Sequence, residues 1–109
     1  MRAVFLAAAE EDLRELRRYI VKTFGKSTWQ GTYQGLKESV RTIQTFPQVG
    51  STPDELVELS LQQYRQVISG MNRIVYEVRE GVIYIHMICD TRRDTRTLLS
   101  HRLLRVARC

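Results

Sequence analysis

Apolar and polar positions change their period several times along this chain, and each change marks an element. Residues 2–7 alternate weakly, and their β-branched and aromatic content predicts a short first strand. From there the period lengthens. Leu13, Leu16, Ile20, Val21 and Phe24 recur at helical spacing, so residues 9–24 present one apolar face. Glu10, Glu11 and Asp12 are expected in its first turn and Arg17, Arg18 and Lys22 towards its end, both favourable to the helix dipole. Gly25 is a natural stop. Ser27, with Gln30 three residues on, reads as a capping box opening a second helix. Along that helix Trp29, Tyr33, Leu36, Val40 and Ile43 follow a 4-3-4-3 spacing, the pattern of a helix packed lengthwise on a neighbour. Gly31 and Gly35 weaken it by about 1 kcal/mol each relative to alanine, which a close helix approach would explain. Pro47 and Gly50 end it, so residues 9–46 form an antiparallel helical hairpin.

Strands follow. Thr52-Pro53-Asp54-Glu55 reads as one more helix start, with Thr52 as cap and Glu55 closing a box, but only a turn or two of apolar residues follows. Gln63–Ile68 predicts a strand, Ser69-Gly70 a turn, and Asn72–Arg79 a strand with Ile74, Tyr76 and Val78 on one face. Arg73, Val75 and Glu77 take the other face. Glu80-Gly81 turns the chain into Val82–Cys89, which is apolar on both faces and therefore suits a central, covered position. Asp94 can cap a basic helix over about 94–107, with Leu98, Leu99, Leu103 and Val106 as its apolar face. The order is β-α-α-β-β-β and then a basic helix. It makes an α+β domain, an N-terminal strand and helical hairpin packed on a small antiparallel sheet.

Size and composition fit that picture. A chain of 109 residues with 43% hydrophobic and 27% charged side chains suits a single globular domain, 1–109. Such a domain buries about two-thirds of its unfolded surface and needs no metal or disulfide to fold. No apolar run reaches the ~18 residues that span a bilayer, so no membrane role is expected. Acidic residues follow the short apolar opening at once, which favours a strand over a leader. Cys89 and Cys109 have no metal spacing, and a reducing cytoplasm suits them.

Charge alters the functional outlook. Residues 1–91 hold 11 basic and 11 acidic side chains, so the net +5 lies wholly in residues 92–109, where six arginines face only Asp94. Arginine outnumbers lysine 14 to 3, which favours planar, bidentate contacts to carboxylate or phosphate. Two readings stand side by side: an anionic partner, or a solvated helix face. The sequence holds no phosphate-binding glycine loop, no paired cysteines and no nucleophile elbow. His86 and His101 lack ligand spacing, so no cofactor or metal is expected. What remains is a set of arginines near the strands. Arg65 and Arg73 flank the Ser69-Gly70 turn, and Arg92 and Arg93 follow the last strand. Strand pairing would gather part of this set into a patch for phosphate or an acidic segment, or into ordinary ion pairs with Glu77, Asp90 and Asp94.

Several segments together carry a resemblance. Tyr64-Arg65, Asn72-Arg73-Ile74-Val75-Tyr76-Glu77-Val78, Ile83-Tyr84-Ile85-His86-Met87-Ile88 and Arg92-Arg93-Asp94 are similar to the RelE/ParE superfamily of bacterial type II toxins. Ala9-Glu10-Glu11-Asp12-Leu13 and Phe46-Pro47 with Gly50 resemble its ParE-like branch, and the similarity runs over about residues 3–104. RelE-like members cleave messenger RNA on the ribosome, and match this chain at Arg73 and at Arg92 or Arg93. Their chemistry implies lysines on the preceding strand and an aromatic or histidine near the C-terminus. This chain has Arg65 and Val67 at the first place and Leu98 or Leu99 at the second, with His101 as the one substitute. Arginine is a poor general base, so the set present suits phosphate binding without cleavage. The ParE-like branch implies a toxin that inhibits DNA gyrase by stabilising its cleaved-DNA complex, with no catalytic residue of its own. It meets DNA only indirectly, through gyrase or its partner. That resemblance implies Arg65, Arg73, Arg92 and Arg93 as target-contacting residues. It also implies a cognate ParD-like ribbon-helix-helix antitoxin whose disordered segment folds on binding. Leu13, Leu16, Ile20, Trp29, Tyr33, Arg96, Arg102 and Arg105 are the expected antitoxin contacts. The alternative is the ribosome-dependent endoribonuclease.

Overall fold

In the computed structural model, strand β1 (Arg2–Phe5) leads into helices α1 (Ala7–Phe24) and α2 (Lys26–Thr45), then the one-turn α3 (Asp54–Val57). Strands β2 (Tyr64–Ser69), β3 (Asn72–Arg79) and β4 (Val82–Asp90) complete the order. The structure describes residues 1–92 and Arg102; the expected terminal helix, with Arg93, Arg96 and Arg105, otherwise lies outside the described residues. The α+β class and the element order are those expected. The sheet runs β1-β4-β3-β2. Its meander is antiparallel, while β1 pairs parallel with β4 through Arg2↔Val82 to Phe5↔Ile85, making the sheet mixed. The doubly apolar β4 is thereby central, between β1 and β3.

Both faces of the sheet are covered. Ile74, Tyr76, Ile83, Ile85 and Ile88 meet Ala9, Leu36 and Ile43 of the helices, and all are buried. On the opposite face Leu56 and Leu61 cover Tyr64, Val75, Met87 and Cys89. A β-bulge divides the two sets. Val75 pairs with Met87 but Tyr76 pairs with Ile85, so His86 is the extra residue of β4. Alternation therefore slips by one, and Met87 turns away from the helices while Ile88 turns back towards them.

Local chemistry corrects four sequence expectations. Ser27 does not cap α2. Gly25, at φ 96°, closes α1 through its N–H to Ile20 and Val21, and its carbonyl accepts the Trp29 N–H that begins α2. A one-residue link leaves Ser27 inside the helix. Likewise Thr52 caps nothing: its hydroxyl donates to the Gln62 carbonyl at 3.2 Å, and Pro53 precedes α3. The expected close approach at Gly31 is absent, since a Cβ there would meet nothing within 4 Å; Gly35 approaches the β2–β3 turn at Ser69, not a helix. Helix α1 also begins two residues early at Ala7, so of the three early acids only Glu10 lies in its first turn.

The two hairpin turns follow the residues that permit them. Glu80 and Gly81 both take positive φ, 52° and 78°, as a type I′ turn requires. Gly70 alone is positive at the β2–β3 turn, the pattern of type II′.

Candidate functional site

Strand alternation decides where the arginines point. Arg65 pairs with Tyr76 and shares its helix-side face, whereas Arg73 pairs with Ile68 and lies on the opposite face with Val75 and Glu77. The two do not converge. Arg65 Nη1 donates to the carbonyls of Gly50 (2.6 Å) and Gln48 (3.3 Å), fastening the loop after α2 to the sheet. Arg73 Nη1 donates to Glu55 of α3 at 2.9 Å, with both side chains mostly buried. Here is the role of Glu55, which sequence reading gave to a capping box. Arg92 forms a two-nitrogen contact with Asp90 at 2.7 and 3.0 Å and is 66% exposed; its hydrogen bonds to Asp90 raise its pKa above the ordinary guanidinium value. Arg102, an expected partner contact, grips Asp12 of α1 at 2.7 and 3.2 Å.

The other expected partner residues divide by depth. Leu13 and Leu16 pack partly buried against the main core, and Ile20 is 7% exposed. Trp29 and Tyr33 stack on each other, centroids 5.4 Å apart, and Tyr33 remains exposed. Tyr19 and Phe24 form a second exposed aromatic pair near the hairpin turn. Below it, between the hairpin and the β2–β3 turn, lies a cleft of about 790 Å³ lined by Leu16, Ile20, Gly31, Thr32 and Gly35.

One polar pair escaped sequence reading. The bulge at His86 brings its Nε2 to 2.8 Å from the Glu77 carboxylate, and both are buried. Tyr64 packs edge-on against the imidazole at 5.0 Å, and Arg79 lies over the Tyr84 ring beside them. Burial pushes the His86 pKa below its ordinary value, and Glu77 only partly opposes this. Burial thus favours the neutral imidazole, whose Nε2–H can donate to the carboxylate. Burial, reinforced by Glu77, raises the Tyr64 pKa. The signal for this pair was a single histidine in the otherwise apolar Val82–Cys89 run; the bulge that aims it leaves no trace in residue spacing.

These groups can order the fold and present a cationic tip, but they bring no acid and base together at an open surface. His86 is 2% exposed, so no substrate reaches it. Among the described residues no cluster of three or more His, Cys, Asp or Glu could hold a metal ion, and no helix is long and apolar enough to cross a membrane.

Family comparison adds to this geometry. The family model of the ParE toxin of type II toxin–antitoxin systems (parDE) matches residues 3–95. The chain belongs to the ParE toxin family. A solved structure from the chromosomal ParDE system of P. aeruginosa is similar in fold, with TM-score 0.69 and 19% identity. The similarity covers 83% of this chain and 95% of that one. A search of curated protein sequences found no match. This ParE-family member has a helical hairpin and a four-stranded sheet, with Arg65, Arg73 and Arg92 held by its own loop carbonyls and carboxylates.

Proposed function

We propose that this ParE-family toxin inhibits DNA gyrase by stabilising the cleaved-DNA complex, and that a ParD-like antitoxin neutralises it in the cytoplasm. The observation that carries the reading is the separation of Arg65 and Arg73 onto opposite faces, each bound to a partner within the fold. RNA cleavage needs a convergent site that activates the 2′-hydroxyl, stabilises the phosphorane and protonates the leaving oxygen. The described residues offer no such convergence, which favours a protein that acts by binding over one that catalyses. On this reading Arg65 and Arg73 set the loop and α3 from which the target surface is built, and Arg92, with Arg93, makes direct contact. The antitoxin covers the Trp29–Tyr33 stack, whose Tyr33 is exposed, and the apolar edge formed with Leu13, Leu16 and Ile20, and its acidic residues meet Arg96, Arg102 and Arg105.

Purified chain titrated against gyrase on supercoiled plasmid should produce linear DNA after denaturant and protease. A parallel reaction with translating ribosomes and labelled message should leave the message intact. Intact plasmid with message cut in the ribosomal A site would overturn the proposal in favour of the endoribonuclease.

A further inference from the structure

Asp12 makes two long-range connections at once. Strand β1 stops pairing with β4 at Ile85, so β4 runs on past the end of β1. There the Asp12 Oδ2 accepts the Ile88 N–H at 3.0 Å. The same carboxylate receives Arg102 bidentately, Nη1 to Oδ2 at 2.7 Å and Nη2 to Oδ1 at 3.2 Å, and Nη1 lies 3.5 Å from the His86 carbonyl. The two side chains are 90 residues apart in sequence and keep 14% and 21% exposure.

Asp12 takes both terminal nitrogens of Arg102, the edge of the guanidinium that meets a carboxylate head-on. Arg102 belongs to the segment that holds the chain's whole net charge of +5, which favours an anionic partner, and the anion its guanidinium already holds is a carboxylate. We propose that Asp12–Arg102 is a releasable clasp: Asp12 occupies the fork until an acidic peptide segment of a partner displaces it. Asp12 retains the Ile88 N–H, and Arg102 passes from one carboxylate to another. The partner must therefore outcompete an internal acid, which tunes its affinity without touching its own residues. That the partner is the antitoxin rests on the function proposed above; the clasp does not.

The test titrates a hexaglutamate peptide onto the full chain at low ionic strength. Asp12→Asn keeps an oxygen for the Ile88 N–H but no longer holds the guanidinium by charge. It should bind the peptide about tenfold more tightly than wild type. Arg102→Gln should cancel that gain in the double variant. Glu10→Gln removes an acid from the same helix outside the clasp and should change affinity less than about twofold. Equal affinity of wild type and Asp12→Asn overturns the clasp, as does a gain that survives Arg102→Gln or that Glu10→Gln reproduces. Should Asp12→Asn not fold, Arg102→Gln alone decides: it should bind at least about threefold more weakly than wild type, and unchanged binding refutes the proposal. Because the probe is a defined peptide, failure to form any toxin–antitoxin complex would sink the antitoxin reading and leave this result standing.

Discussion

Gly50→Ala tests how the loop after α2 is locked to the sheet. The Gly50 N–H donates to the Tyr76 hydroxyl at 3.0 Å, and that hydroxyl donates to the Pro47 carbonyl at 2.8 Å. Arg65 holds the Gly50 carbonyl at 2.6 Å, and Ser51 bridges to Gln66. A Cβ on Gly50 would sit 2.6 Å from the Gln66 carbonyl oxygen, 2.8 Å from the Tyr76 hydroxyl and 3.0 Å from Tyr76 Cε1. Neither neighbour yields cheaply: one is strand backbone, and the other is a ring with no exposed surface. Overpacking of this kind costs about 1–3 kcal/mol. Moving the loop outward also strands the buried hydroxyl, at about 1–3 kcal/mol more. The sum is about 2–6 kcal/mol, against a stability of about 5–15 kcal/mol for a small domain. At about 4–8 °C per kcal/mol, Tm should fall by at least about 8 °C. Thermal melting by circular dichroism reads the shift, and guanidinium titration reads the free energy. Tyr76→Phe supplies the internal check, because it removes the hydroxyl that the Cβ would strike. The double variant should be less destabilised than the sum of the two singles. A Gly50→Ala protein within about 0.5 kcal/mol of wild type would refute the reasoning, as would strict additivity.

Other perturbations follow from the same geometry. Burial lowers the His86 pKa, so as pH falls below the ordinary histidine value of about 6.5 the unfolded chain takes up a proton that the folded chain refuses. Stability should therefore decline from pH 7 to pH 5 by guanidinium titration, and His86→Gln, which cannot titrate, should decline less; parallel curves would contradict the assignment. Ile43, fully buried between α2 and the sheet, should lose about 2–5 kcal/mol on Ile43→Ala. Glu55→Ala leaves the mostly buried Arg73 without its carboxylate and should cost about 1–3 kcal/mol, whereas exposed Glu11→Ala should cost less than about 1 kcal/mol despite its two arginine neighbours. Equal losses for the two glutamates would mean that burial does not govern these pairs.

Much of the fold was legible because periodicity reports burial directly. Ile74, Tyr76 and Val78 share the face expected from alternation, and the apolar Val82–Cys89 run lies where only a central strand can. The capping boxes misled because a cap is chosen by chain geometry as well as by residue type. Gly25 at positive φ serves both helices in one residue, leaving no place for Ser27 to act. The small residues of α2 misled for a related reason: Gly31 can reflect close packing or an open wall, and only the tertiary path of the hairpin distinguishes them.

The arginines show a deeper limit of sequence reading. Closeness to one turn suggested that Arg65 and Arg73 act together, yet register alone sets their faces, and an odd offset across the turn sends them apart. Once apart, each guanidinium meets a different local demand, Arg65 the carbonyls of a tight loop and Arg73 the carboxylate of a one-turn helix. A cation held by two carbonyls or by a mostly buried carboxylate must give up those contacts before it can bind phosphate, and desolvated groups left behind make that exchange unfavourable. An exposed arginine such as Arg92 faces no comparable cost, since water takes over from Asp90 when it moves. Recognition by this chain should therefore concentrate at exposed Arg92 at the end of β4 and in the arginine-rich sequence after it, where charge is in excess, and substitutions at Arg65 or Arg73 should register first as lost stability and only through it as lost binding.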